Sequence, residues 1–159
     1  MAETALNHLN KITNQDMTEL ALKHGQEGRS CSEAIMLTFA PRLCLDPAMA
    51  VKLASGFGGG MGISGEVCGA LSAACMVIGL RFGTDRIEDS YARQRTYLMV
   101  QELMERFREG AGAVQCRELC FARLSKGQGL AHVRQLDLPE RLISLAAEAL
   151  DAILNHHIE

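Results

Sequence analysis

The sequence has no marked excess of charge of either sign. Its 159 residues include 16 basic and 19 acidic side chains, which are interspersed and leave a formal net charge of -3 at pH 7. Because nucleic acids and anionic membranes are bound through basic patches, this pattern argues against nucleic acid as a partner. The chain also lacks an apolar run of about 18 residues, the length that a membrane-spanning helix needs, so we expect no direct membrane insertion.

Segments that mark export or a second domain are missing as well. Residues 1–4 have none of the basic and apolar character of a signal peptide, and a cytoplasmic location of the bacterial type is therefore expected. There are three prolines and no proline- or serine-rich linker. Hydrophobic residues make up 48% of the chain, enough for a core, and we expect one globular domain over residues 1–159.

Several familiar catalytic motifs are also absent. The five histidines occur in neither an H-E-x-x-H nor a C-x-x-C-H motif, which removes the support for a zinc protease or a covalently attached haem. No nucleophile elbow is present. Residues 60–65 fit G-x-G-x-x-G, but a short helix precedes them instead of a strand and the P-loop ending is missing, so a nucleotide site is not favoured.

The hydrophobic pattern is helical almost throughout, and no segment favours a β-strand. We predict a compact, all-α, single-domain bundle of about six or seven helices, in which a glycine-rich loop precedes a buried central helix. The expected helices lie at about residues 5–24, from 30 onward, at 46–54, 66–82 and 86–109, around 116–120, and from 139 onward.

Individual helices give finer expectations. Ser30 and Glu33 have the spacing of a capping box, and the small residues at positions 69–74 suit a helix that its neighbours approach closely. In the fifth helix we expect ion pairs between residues 89 and 93 and between residues 102 and 106. The same spacing analysis predicts two apolar faces, formed by Tyr97, Val100, Met104 and Phe107 and by Leu142, Ala146, Leu150 and Ile153.

The six cysteines are more than a core needs. In a reducing compartment they indicate metal, cluster or thiol redox chemistry, whereas export would make disulfides the alternative. Cys68 follows the glycine-rich loop at the expected first turn of a helix, where unpaired N–H groups and the helix dipole should lower its pKa. Cys116 and Cys120 lie one turn apart, about 5–6 Å between Cβ atoms, which suits two metal ligands. Cys44 and Cys75 are interpreted as core residues.

Four motifs occur in a recognisable order: Cys31, the glycine-rich run 56–60, Cys68-Gly69-Ala70 and Cys116-Arg117-Glu118-Leu119. Together they resemble the C_GCAxxG_C_C family, which is described as redox-active, over a motif core of about residues 28–120. The resemblance implies a redox role for Cys31, Cys68 and Cys116, and a redox partner or membrane transporter as the interacting protein. Ala73 stands where the family has glycine, and no cysteine follows Cys120 where the family has its last one.

Two classes of function follow from these observations. In the first, the protein is an oxidoreductase or electron-transfer protein with a redox site at Cys31, Cys68, Cys116 and, as a candidate fourth thiolate, Cys120. These cysteines would hold an iron–sulfur cluster, or would exchange disulfides with Cys68 as nucleophile and Cys31 or Cys116 as the resolving thiol. The cofactor pocket would then be shaped by Gly58, Gly59, Gly60 and Gly62.

In the second class, the chain is a non-catalytic helical module that dimerises or docks on a partner, and its cysteines are buried and unreactive. A structural zinc ion on the same cysteines is a third interpretation, ranked below the cluster. A homodimer is a candidate assembly because the chain is short and its central helix is apolar.

Overall fold

A computed structural model describes residues 14–121 and 138–157. Within these ranges the chain forms six α-helices: α1 (Asn14–Gln26), α2 (Cys31–Phe39), α3 (Pro47–Ala54), α4 (Gly69–Phe82), α5 (Ser90–Ala111) and α6 (Leu138–His156). Short 3-10 turns follow α2 and α3, at Ala40–Leu43 and Ser55–Phe57, and a π-helical turn spans Arg117–Phe121. An isolated bridge is the nearest approach to a strand in the described residues, and the all-α prediction is confirmed.

Helix α4 is the buried helix of the bundle, as predicted. It packs against α2, α5 and α6, and its buried residues include four small ones, at positions 69, 70, 73 and 74. Gly69 shows why small residues are needed, since a Cβ atom there would lie 2.7 Å from the carbonyl oxygen of Phe57. Close packing around α4 therefore fixes the glycine-rich segment that precedes it.

Helices α1 and α6 pack side by side and close the bundle. The predicted apolar face of α6 is confirmed, with all four of its residues buried. Asp151 on the same helix is also fully buried, where it pairs with Arg42 and accepts a hydrogen bond from Asn155 (3.1 Å). This carboxylate ties α6 to the 3-10 turn that follows α2.

Helix α5 differs from its prediction in both its start and its buried face. It begins at Ser90, because the Asp89 side chain accepts from the Ala92 N–H (3.0 Å) and caps the helix instead of pairing with Arg93. Its buried residues are 99, 103 and 107, so the prediction that Tyr97 belongs to the apolar face is wrong: this side chain is 60% exposed. The predicted pair between residues 102 and 106 is present, at 2.7 Å.

Two further expectations are met in part. The predicted start of the first helix lies outside the described residues, and the described helix α1 runs two residues beyond the predicted end at position 24. None of the described helices combines the length and apolar character needed to cross a membrane.

Candidate functional site

Four of the six cysteines line one cavity of about 520 Å³. They come from three separate parts of the chain, namely the start of α2, the start of α4 and the segment around the π-helical turn. They are Cys31, Cys68, Cys116 and Cys120. The structure therefore brings together the four cysteines that the sequence singled out, and leaves the other two elsewhere.

Cys31 is placed by a capping box. The Ser30 hydroxyl accepts from the Glu33 N–H (3.3 Å), and the Glu33 carboxylate accepts from the Ser30 N–H (3.0 Å). These reciprocal bonds start α2 at Cys31, as the sequence predicted, and hold the cysteine in its first turn. Cys31 remains half-buried, whereas the other three cavity cysteines are buried.

Cys68 and Cys116 are brought together by backbone pairing between two segments. The Cys68 N–H donates to the Val114 carbonyl (2.8 Å) and the Cys116 N–H donates to the Glu66 carbonyl (2.6 Å), around the antiparallel bridge of Val67 with Gln115. Both cysteines line the cavity.

This pairing also corrects the predicted start of the central helix. We expected a helix from residue 66, but residues 66–68 are not helical and α4 begins at Gly69. Cys68 is thus the residue that precedes the helix, and its side chain makes no capping hydrogen bond. The glycine-rich loop and the Cys116 segment act as one unit that presents two thiols to the cavity.

Gly60 allows the loop to pack directly on Cys116. Its φ is +70°, and a Cβ atom there would lie 2.7 Å from the Cys116 Cβ and 2.6 Å from the Glu66 carbonyl oxygen. Of the four glycines predicted to shape a pocket, Gly58, Gly59 and Gly62 line the cavity. Gly60 does not line the cavity and instead packs against Cys116.

A second contact holds the same segment in place. Gly65 has a φ of +74°, and a Cβ atom there would lie 2.9 Å from the Arg117 Cβ. Arg117 donates from Nε to the Gly65 carbonyl (3.1 Å) and forms an ion pair with Glu66. Arg117 therefore fastens the residue next to Cys116 to the end of the loop.

Cys116 and Cys120 form a hydrogen-bonded pair of thiols. The hydrogen bond from Cys120 lowers the pKa of Cys116, while the same bond and burial raise the pKa of Cys120. Cys120 lies in the π-helical turn, a rare element that is frequent at functional sites. Cys116 is therefore the member of the pair that ionises first.

The expectation of a lowered pKa at Cys68 is wrong. Burial raises the pKa of this thiol to about 11, although N–H groups of Leu71 and Ala70 favour the thiolate. The side chain is 1% exposed, so loss of hydration outweighs the helix-terminal groups. The sequence indicated that a helix starts near Cys68, but it did not indicate how deeply this thiol is buried.

The remaining cysteines differ from each other. Cys75 packs against the core as predicted, and burial raises the pKa of its thiol to about 11. Cys44 is exposed, so its interpretation as a core residue is wrong. It follows the 3-10 turn Ala40–Leu43 and ends it in the left-handed conformation, with a φ of 52°.

Part of the cavity wall had no counterpart in the sequence prediction. The first turn of α6 contributes Pro139, Glu140, Leu142 and Ile143, and the loop contributes Ile63. Ile63 is 60% exposed and has a φ of 66°, a strained conformation for a β-branched residue. The sequence offered one hint of the α6 contribution, since the family resemblance places its last cysteine downstream of Cys120.

A single bound metal ion does not fit the described residues. No group of three or more His, Cys, Asp or Glu side chains in residues 14–121 and 138–157 is arranged around one ion. A zinc site would need such a group, because zinc takes all its ligands at one point. An iron–sulfur cluster differs in that it distributes its cysteine ligands over several irons.

The site defines a class of protein: an all-helical chain that gathers four cysteine thiols around one cavity. A family model described as "Putative redox-active protein (C_GCAxxG_C_C)" matches residues 29–153. The match covers most of the chain, and the protein belongs to this family. Neither the curated proteins nor the solved structures gave a match. The resemblance seen in the motifs is confirmed, and the family description supports a redox-active protein.

Proposed function

We propose that the protein transfers electrons through an iron–sulfur cluster bound by Cys31, Cys68, Cys116 and Cys120. The observation that carries this proposal is the position of the four thiols on the wall of one cavity. Thiolates are the soft ligands that iron–sulfur clusters require, and four cysteines are the common number. When bound, the cluster supplies a redox centre whose potential the surrounding protein sets.

The neighbouring residues have two tasks in this proposal. The paired segments that end at Cys68 and Cys116 hold two ligands on one side of the cavity. Gly58, Gly59 and Gly62 line the cavity without side chains, so backbone groups can approach the cluster closely. Burial of the thiols limits access of water, which is one of the properties that set a cluster's potential.

The test is anaerobic reconstitution with ferrous iron and sulfide, followed by assay of bound iron and acid-labile sulfide per chain. We expect single serine replacements of the four cavity cysteines to reduce bound iron and sulfide strongly. Cys44→Ser and Cys75→Ser are matched controls that should bind as much as the unmodified protein. A wild-type chain that retains neither iron nor sulfide, or four variants that bind like the controls, would refute the proposal.

The hydrogen-bonded pair of Cys116 and Cys120 favours a second candidate, disulfide exchange. In this reaction the two thiols become a disulfide and pass two electrons and two protons to a disulfide-bearing substrate, which leaves as two thiols. The Cys116 thiolate attacks one substrate sulfur, which breaks the substrate disulfide and releases its other sulfur as a thiol. Cys120 then attacks the Cys116 sulfur of the mixed disulfide and releases the second substrate thiol.

Mass spectrometry separates this candidate from the first. Metal-free protein treated with an oxidised small disulfide should lose the mass of two hydrogens, and the new bond should link Cys116 to Cys120. In Cys120→Ser the mixed disulfide at Cys116 should accumulate instead. Unmodified thiols under these conditions would exclude exchange and would agree with an unreactive module.

A further inference from the structure

The outward face of α5 changes character halfway along the helix. All residues classed as exposed between positions 91 and 101 are uncharged, and they are Tyr91, Gln94, Tyr97, Leu98 and Gln101. From position 105 to 109 every exposed residue is charged. Since exposed helix faces normally carry charged side chains, an uncharged face of three turns is typical of a contact surface.

The large apolar side chains on and beside this face are unusually exposed. Tyr91 is 77% exposed and Leu98 is 58% exposed. Leu80 near the end of α4 is 53% exposed, and Ile87 just before α5 is 84% exposed. Together with Tyr97, these residues account for five of the nine large hydrophobic residues that the described chain exposes.

We propose that this face of α5 binds the same face of a second copy of the chain, with the two helices antiparallel and the two-fold axis close to Leu98. The charges beside the face are the reason for choosing a second copy. Arg95 and Glu102 lie seven residues apart, two helical turns or about 10.5 Å along one edge of the face. Leu98 lies between them, so the edge carries opposite charges on either side of the proposed axis.

Consider a two-fold axis that lies in the interface and is perpendicular to both helices. The charged edges of the two copies then lie on the same side of the interface and run in opposite directions. Arg95 then lies level with Glu102 of the partner subunit, and the same pair forms a second time across the axis. Such a self-complementary surface is what a two-fold interface requires. A different partner would not need the charges to be placed symmetrically around one leucine.

Contacts within the chain hold both charged side chains at this edge. Arg95 donates to the His157 carbonyl (3.3 Å), and its guanidinium lies 5.2 Å from the centre of the Phe82 ring. Glu102 accepts from Arg106 at 2.7 Å. Because a guanidinium has five N–H donors and a carboxylate has several acceptor positions, each group can also bond across the interface.

The shape of the surface agrees with this pairing. A hollow of about 210 Å³ lies along the edge, between Tyr91, Leu98 and His157. With the axis close to Leu98, Leu98 of the partner subunit lies opposite this hollow. The exposed Leu98 of each subunit thus packs against the hollow of the other, and this contact occurs twice in the dimer.

The first test is sedimentation velocity over a range of micromolar concentrations. We expect a species of twice the chain mass of 17.3 kDa, and Leu98→Glu should raise the dimer dissociation constant at least about tenfold. Leu53→Glu on α3 is the matched control, since Leu53 is 49% exposed and lies outside the face. A monomer at all concentrations, or equal dimerisation of Leu98→Glu and the control, would overturn the proposal.

The second test is a charge exchange that probes the antiparallel pairing directly. Arg95→Glu and Glu102→Arg alone should each weaken the dimer, because each places two like charges together. The double variant Arg95→Glu/Glu102→Arg should restore most of the lost affinity, with circular dichroism confirming that all three variants are folded. A double variant no tighter than either single one rules out the proposed pairing.

Discussion

At the scale of single residues, the cavity depends on backbone positions that have no reactive side chain. Gly60 contributes no atom to the cavity wall, yet its missing Cβ is what lets the loop approach Cys116. Arg117 likewise acts on the neighbouring cysteine through bonds to Gly65 and Glu66. The thiols are thus positioned by residues that never touch a bound group.

Gly60→Ala tests this role of the loop, with Gly62→Ala as its control. Both glycines have a positive φ, +70° and +61°, so both replacements carry a similar backbone cost of about 1–2 kcal/mol. A new Cβ meets Cys116 only at position 60, whereas at position 62 nothing lies within 4 Å. We expect Gly60→Ala to lower the unfolding free energy more than Gly62→Ala; equal effects would contradict this role.

At the scale of elements, the sequence predicts most helices because their cues are local. The capping box at Ser30 and the apolar face of α6 depend on residues three or four positions apart, and both are confirmed. The start of α4 was missed because residues 65–68 pair with a segment almost fifty residues away. Tyr97 was placed on the apolar face because spacing alone does not identify which side of a helix packs against its neighbours.

The candidate site shows the same contrast between local sequence cues and tertiary packing. The motifs pick out the four cysteines, but the pKa of Cys68 depends on its depth in the bundle, which no local pattern gives. The contribution of α6 to the cavity wall also results from tertiary packing. Sequence patterns therefore predict the chemical groups, and the folded arrangement decides their ionisation.

The contact between α1 and α2 predicts a pH dependence of stability. Thr38 donates its hydroxyl proton to the Ala34 carbonyl (2.7 Å), so His24 Nδ1 donates to the Thr38 oxygen (3.0 Å). Burial lowers the pKa of His24 from 6.5, against the opposing charge of Glu27. The folded state therefore binds fewer protons than the unfolded state, and stability is lost as the pH falls below the unfolded pKa of 6.5.

His24→Gln removes this titration and is the variant to compare. Urea denaturation between about pH 7 and pH 5 should show a steeper loss of stability in the wild-type protein than in His24→Gln. Other titrating groups are the same in both proteins, so they cancel in the difference. Parallel curves would show that His24 has the same pKa in the folded and unfolded states.

The buried carboxylate that ties α6 to the turn after α2 gives a larger expected effect. Asp151→Ala leaves Arg42 without its buried partner, which should cost about 3–5 kcal/mol of unfolding free energy. Glu148→Ala on the exposed side of the same helix should change it by less than about 0.5 kcal/mol. Urea midpoints of the two variants measure the difference, and similar midpoints would show that the ion pair contributes little.

At the scale of the whole molecule, the cavity and the proposed dimer face use different residues. The cavity wall comes from α1, α2, the glycine-rich loop, the Cys116 segment and α6, while the dimer face lies on α5. Leu98→Glu should therefore keep the iron and sulfide content of the wild-type chain while it weakens the dimer. Loss of bound iron in a folded Leu98→Glu variant would show that cluster binding depends on the dimer.

The most direct measurement is a visible absorption spectrum of the anaerobically purified protein, taken before reduction, after addition of dithionite and after reoxidation. A cluster held by the four cavity cysteines predicts broad visible absorption that falls on reduction and returns on oxidation, in a sample that contains iron and sulfide. A colourless protein whose cavity thiols all remain titratable, with no iron or sulfide, would contradict the assignment of these cysteines as cluster ligands.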